Sequence, residues 1–383
     1  MKTVRIIVPL GLFFALVSCC GRQGVKQETY GLVKSEATLS FPLDDRTKNF
    51  ILALFPYTDE DGTEYLTFQN QGRNELLFYK MNTQQLAFKI NPELQGNQGV
   101  GRTIGYYIHN SDSIFLTSAG TGRITLIDRD ARIKDRFRFS RTDNGAPLQL
   151  YNSITSTYKP MVVLDNKMYI CPEPNRGEKI NPVCATIHLS SHSVQALPGF
   201  PYPVYPELDK KARSTGVEME FSRCYNGRQF IYSFFYEEDV YVTSSDHTSV
   251  ERVRIKSKYI NRVNLPEEYN LTMEKLCELP KYGNLLYDPY REVYYRIAYP
   301  GTELEKGVRA MELLQYGRRN FSIILLDKDL HILGETLFPD YTYNSTLLFI
   351  REDGLYLSAS HFMNPEFSDD LLVFHRFDLV KKE

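Results

Sequence analysis

The chain has 383 residues, with 45 basic and 47 acidic side chains interspersed and a formal net charge of −2; no basic stripe marks a nucleic-acid surface and no acidic tail marks a cationic partner. Tyr (27) and Phe (23) are abundant and Trp is absent, a bias toward side chains that pack on pleated sheets. Six cysteines are too few for a disulfide scaffold, so an apolar core must hold the fold.

The first predicted element is a leader. Lys2 and Arg5 precede an apolar run, Ile6 to Val17, broken only by Pro9 and Gly11. That run is well short of the roughly 20 residues that cross a bilayer as a helix, and its layout is that of a secretory signal. The segment Leu16-Val17-Ser18-Cys19 resembles the bacterial lipobox, which implies cleavage before Cys19 and acylation of that cysteine. Residues 1–18 are then a signal peptide. Residues 19–28, polar apart from Val25, read as a tether, and 29–383 as one domain. Each buried methylene contributes about 0.8 kcal/mol, so two or three acyl chains hold such a protein at a membrane surface.

Beyond the tether one unit recurs: strand, tight polar turn, strand, loop, strand, turn, strand. Its first hairpin turns fall at Asp59-Glu60-Asp61-Gly62, Asn110-Ser111-Asp112, Asp165-Asn166-Lys167, Asn226-Gly227-Arg228, Asp288-Pro289-Tyr290-Arg291 and Arg351-Glu352-Asp353-Gly354, the compositions that close antiparallel pairs. Successive turns lie 51, 55, 61, 62 and 64 residues apart. Second-half strands follow each hairpin, as in Leu76–Tyr79 with Leu86–Ile90, or Ala185–His188 with Val194–Leu197. The last unit offers Leu371–Phe374 and the chain's final residues. Antiparallel four-stranded units of this length define an all-β, six-bladed β-propeller.

The sixth unit lacks an outermost strand, whereas Ala37–Leu43 belongs to no unit and echoes Glu335–Pro339 at the end of the fifth. It is expected to complete the sixth blade, close the ring and cover a sheet edge. A seventh blade within residues 256–284 is the alternative. Two insertions interrupt the pattern. One is Pro201–Gly216; the other is Thr302–Tyr316, whose spacing of Leu, Met and charged residues predicts a short amphipathic helix. Both would project from a blade face.

Residues that carry chemistry are sparse. Gly96-Asn97-Gln98-Gly99-Val100-Gly101 lacks the strand-to-helix setting of a phosphate loop and reads as a turn between blades. His188 and His192 with Cys171 and Cys184 match no standard zinc spacing, and no catalytic, metal or cofactor motif is found. Cys171 ends one strand and Cys184 begins the next, which makes them a candidate disulfide in an oxidising compartment; Cys224 and Cys277 read as buried thiols. Asp112, Asp165 and Asp288 sit where Asp ordinarily bonds its own turn. Asp112-Ser113-Ile114 resembles the O-glycosylation sequon of Bacteroides-type periplasmic proteins.

The lipobox, the length, the six-fold pattern and the glycine run together resemble the six-bladed propeller lipoproteins of Bacteroides-type bacteria, among them a family known only as a domain of unknown function. That resemblance implies an envelope location and a propeller, and it supplies no catalytic residues. Cys20-Gly21-Arg22-Gln23 lacks the acidic residues that surface-exported lipoproteins of this group carry, which favours the periplasmic side of the outer membrane. Two functions follow as expectations. The first is a binding or scaffold module that engages a protein or glycan through its Tyr-rich face. The alternative is a lactonase-like hydrolase with a metal held in the central channel.

Overall fold

The computed structural model describes residues 29–70, 72–148, 155–174, 181–205, 216–266 and 271–382. Six four-stranded antiparallel sheets make up the chain. Blade 6 takes its outer strand from the start of the chain, β1 (Tyr30–Pro42). Blade 1 is β2 (Leu54–Thr58), β3 (Glu64–Asn70), β4 (Glu75–Lys80) and β5 (Leu86–Ile90). Blade 2 is β6 (Thr103–Asn110), β7 (Ser113–Ser118), β8 (Arg123–Ile127) and β9 (Ile133–Arg138). Blade 3 holds β10 (Val162–Leu164), β11 (Lys167–Ile170), β12 (Ala185–His188) and β13 (Val194–Ala196). Blade 4 holds β14 (Phe221–Tyr225), β15 (Phe230–Phe234), β16 (Asp239–Thr243) and β17 (Val250–Arg254). Blade 5 begins after helix α1 (Met273–Glu278) with β18 (Lys281–Asp288) and β19 (Val293–Tyr299). It continues through helix α2 (Ala310–Tyr316) to β20 (Ser322–Leu326) and β21 (Ile332–Leu337). Blade 6 is β22 (Asn344–Arg351), β23 (Gly354–Ser358), β24 (Leu371–Lys381) and β1.

Tyr, Phe and aliphatic residues on both faces of the middle strands, β4, β7, β15, β19, β20 and β23, are buried, which is why each sheet stacks against both of its neighbours. Six clusters of buried apolar residues each lie between two consecutive blades, and a small seventh lies between the two helices. One of them sets Phe41, Leu347, Leu372 and Phe374 of blade 6 against Leu54, Leu66, Phe68 and Tyr79 of blade 1, so the ring is continuous from last blade to first. Each fully buried side chain of this size contributes about 1.5–3 kcal/mol.

Local turn chemistry sets the hairpins. The third and fourth strands of blades 1 to 5 are joined by turns with a left-handed residue at Gln84, Ala131, His192, His247 and Leu330. In three of these blades a one-residue register shift precedes the turn, the pattern of a bulged hairpin. The glycine run forms a turn between β5 and β6, with Gly96 and Gly101 at positive φ.

Several expectations are refined. Residues 256–284 contain α1 and no strand before Lys281 among the described residues, so no seventh blade forms there. Residues 371–381 form one continuous strand instead of two short ones. The segment expected at 37–43 belongs to a longer strand: β1 starts at Tyr30 opposite Lys381 and runs to Pro42 opposite Leu371, with a break in register between Lys34 and Thr38. The insertion helix occupies only the end of its segment, Ala310–Tyr316, where Ala310 and Leu313 pack with Cys277 of α1. Most of Pro201–Gly216, together with Cys19, the leader and the tether, lies outside the described residues.

Blade topology sorts the connections by the end of the sheet at which they fall. First-to-second-strand links in all six blades and third-to-fourth-strand links in blades 1 to 5 are hairpins at one end of the sheets. The second-to-third and blade-to-blade links, which include both insertions and both helices, all fall at the other end. The molecule therefore has a hairpin face and a loop face.

Candidate functional site

The channel between the inner strands is crossed by the chain itself. Residues 155–160, which lead into the short inner strand β10, leave blade 3 and reach three other blades. Thr157 Oγ1 accepts from Leu54 N of β2 at 3.2 Å. The Tyr158 carbonyl accepts from Arg223 N of β14 at 2.8 Å and from Ser222 Oγ at 2.9 Å, and the Pro160 carbonyl accepts from Arg223 Nη2 at 2.6 Å. On β6 the main chain comes so close that a methyl group on Gly105 would overlap the Thr155 carbonyl; only glycine leaves room. Main-chain groups in the channel are thus hydrogen-bonded by the inner strands, as burial demands.

On the hairpin side this plug floors a recess of about 340 Å³ lined by Leu54, Phe55, Leu286, Phe349, Ile350 and neighbouring Tyr and Pro residues. No carboxylate lines it among the described residues. A channel-centred hydrolase needs converging oxygen ligands; the walls found are mostly apolar, and their one charged residue is the cation Arg223. The acids proposed from the turns have local duties. Asp288 is fully buried and accepts from Tyr290 N, Arg291 Nη1 at 2.6 Å and the Tyr295 hydroxyl at 2.9 Å. Asp112 pairs with Lys134, and Asp165 occupies an exposed left-handed turn. Ser113 of the sequon opens β7 and is partly exposed.

The loop side of the plug differs in character. Tyr158, Lys159 and Glu220 border it, Phe235 and Tyr236 follow β15, Lys281 opens β18, Tyr299 ends β19, and Arg318 follows α2. Lys159 is buried and held by Glu220 at 3.1 Å. Tyr158 and Phe235 lie with ring centroids 6.0 Å apart. Lys281 is partly exposed, its ammonium 4.9 Å from the Phe235 ring centre and 5.9 Å from that of Tyr299. The Arg318 guanidinium lies 5.1 Å from the same Tyr299 ring and donates to the Leu276 and Leu279 carbonyls, capping the end of α1. Burial, reinforced by the Arg318 charge, lowers the Lys281 ammonium to about 7. Burial raises the Glu173 carboxyl on the neighbouring loop. Perturbed groups gathered at a channel mouth mark a candidate site. None of these residues was singled out from the sequence, because no local spacing links positions drawn from separate segments of blades 3, 4 and 5.

His188, His192, Cys171 and Cys184, which match no zinc spacing in the sequence, do not converge on one point among the described residues. Cys184 and His188 flank or end β12 at opposite sides, and His192 pairs with Asp135 of blade 2 at 2.8 Å. A different triad, Asp327, Asp329 and His331, places its donor atoms within 4.8 Å of one another. Its geometry belongs to the turn: Asp327 Oδ1 accepts from the amides of Asp329 and His331. Asp128 binds the amides of Asp130 and Arg132 in the same way in blade 2. Where blade 5 has His331, blade 2 has Arg132, so the position takes a nitrogen-bearing side chain beside an aspartate.

Cys171, Cys184, Cys224 and Cys277 are buried free thiols. The β11–β12 register pairs Ile170 with Ala185, so Cys171 and Cys184 are the next opposed positions. Arg223 Nη1 lies 3.6 Å from Cys184 Sγ.

Six sheets arranged around a plugged axis make this a six-bladed β-propeller. The chain belongs to the DUF4221 family, a domain of unknown function, whose model matches residues 29–337. It is similar to a crystal structure of a DUF4221 member from Bacteroides vulgatus, with 26% identity, a TM-score of 0.79, and coverage of 93% of this chain and 100% of that one. A putative exported protein from Bacteroides fragilis shares the fold at 8% identity and a TM-score of 0.56, over 91% of this chain and 96% of that one. No curated protein matches the chain. Among the described residues no helix is long and apolar enough to cross a membrane.

Proposed function

We propose that this chain is a non-catalytic binding propeller of the cell envelope, held at a membrane surface by lipid on Cys19 and presenting its loop face to a protein or glycan partner. The observation that carries this reading is the contrast between the two ends of the plugged channel. The hairpin end is an apolar recess, and the loop end gathers partly exposed aromatic rings and charged groups from blades 3, 4 and 5. Aromatic rings beside polar groups suit recognition of sugars and of protein side chains.

Chain direction supports the orientation. β24 runs from the loop face to the hairpin face, and antiparallel β1 begins opposite its end at Tyr30. A tether of residues 19–28 therefore leaves from the hairpin face, which turns the loop face away from an anchoring bilayer.

The mature chain, shown to be folded by circular dichroism, is to be screened against glycan arrays and fractionated envelope proteins. A specific ligand is expected whose affinity falls at least tenfold in Phe235→Ala and is unchanged in Tyr290→Ala on the hairpin face. A folded chain that retains no glycan and no protein refutes the reading.

A further inference from the structure

We propose that the ligand of the loop-face site is an acidic sugar, with its carboxylate against Lys281 and its ring against Phe235. This rests on the binding reading above and names the chemistry of the ligand.

The charge balance at the site points to an anion. Lys281 and Arg318 both lie against the ring of Tyr299. Among the described residues no carboxylate forms an ion pair with either one. Glu220 is the acid whose charge Lys281 feels, and Glu220 is itself bonded to Lys159 at 3.1 Å. Two cations in a partly dehydrated setting repel one another, and a carboxylate placed beside them relieves that repulsion.

An orphan donor stands beside them. Tyr236 is 4% exposed and its hydroxyl has no hydrogen-bond partner. It follows Phe235 directly in the chain, and its hydroxyl feels the Arg318 charge. A buried hydroxyl left unpaired costs about 1–3 kcal/mol.

Arg318 does not serve as the principal ligand contact, since its two terminal nitrogens are engaged by the α1 carbonyls. It supplies a fixed positive field. Lys281, carried on a flexible stem and partly exposed, is the group free to meet a carboxylate. The partly exposed rings of Phe235 and Tyr158 adjoin it and offer the flat apolar surface on which the C–H face of a pyranose rests. A compact inorganic anion has no use for those rings, and a neutral sugar has none for the cations.

Glucuronate, glucose and inorganic phosphate are to be titrated into the folded mature chain, following the carbon-13 signal of the Lys281 side chain and the thermal midpoint. Glucuronate is expected to bind, raise the titration midpoint of Lys281 and increase the thermal midpoint, with at least tenfold weaker effects from glucose and phosphate. Lys281→Met should lose the binding at least tenfold and remain folded, because the change removes a poorly hydrated ammonium. Lys281→Arg should retain most of it. Equal glucuronate binding by the wild type and Lys281→Met overturns the proposal, as does phosphate binding as tight as that of glucuronate. A loop-face ligand that carries no carboxylate overturns this inference and leaves the binding reading intact; absence of any ligand removes both.

Discussion

Two histidines hold their tautomers by buried hydrogen bonds. His361 Nε2 donates to the Gly317 carbonyl at 2.9 Å, and its Nδ1 accepts from Met363 N. His247 Nδ1 donates to the Ser245 carbonyl, and its Nε2 accepts from the Tyr232 hydroxyl at 2.5 Å. Both rings are fully buried, and burial lowers each imidazolium to about 4. The folded chain thus binds fewer protons than the unfolded chain between pH 6.5 and 4, so their stability contribution is complete above 6.5 and lost as pH falls through that window. Each can cost up to about 3 kcal/mol by pH 4. Urea midpoints measured across the window should fall steeply in the wild type and less in His361→Gln; equal slopes would exclude His361 as a source of acid sensitivity. Cys171 and Cys184 permit a second prediction, since they are opposed across β11 and β12. Protein recovered from an oxidising compartment should be lighter by two hydrogens than the reduced chain, and closing that short loop should add about 3 kcal/mol. Full alkylation of both thiols after denaturation without reductant would refute the bridge.

At the scale of elements, the hairpin turns were legible in the sequence and the plug was not. Asp288-Pro289-Tyr290-Arg291 and Asn226-Gly227-Arg228 announce turns because their side chains bond the adjacent main chain, a property that travels with the residues. Thr155–Pro160 carries no such mark. It reads as the approach to a blade, and its role comes from partners on β2, β6 and β14, far away in the chain. Lys281, Arg318 and Tyr236 escaped notice for the same reason. The one local trace of the plug is Gly105, an interruption in an apolar strand whose missing side chain makes space for Thr155. Gly105→Ala should displace residues 155–158 and destabilise the fold by about 1–3 kcal/mol, as overpacking does. Amide exchange would show it as faster exchange at Thr157 and Arg223 in the variant; unchanged protection at both would mean the plug is not seated on Gly105.

Across the whole molecule, six interfaces share the work of stability, and the one between blades 6 and 1 joins the two ends of the chain. The repeat spacing made the blade count readable because each interface is built from the same succession of short apolar strands and polar turns. The length of β1 was less readable, since residues 33–36 are largely exposed and lack the alternation of a half-buried strand. Residues 29–32 nonetheless reach blade 5: Thr29 N donates to the Leu333 carbonyl and Leu32 N to Thr336 Oγ1. Leu32, Leu39 and Phe41 of β1 are buried in two different interfaces. Deleting residues 29–42 would remove about 5–9 kcal/mol of apolar burial from a fold whose net stability is on the order of 5–15 kcal/mol. It would also leave the length of β24 as an unpaired edge. The shortened chain should elute as large aggregates on size exclusion and melt without a cooperative transition, whereas a chain lacking only residues 19–28 should behave as the intact domain. A monomeric, cooperatively melting product of the longer deletion would show that the other five interfaces suffice, and that β1 only rides on the edge of blade 6.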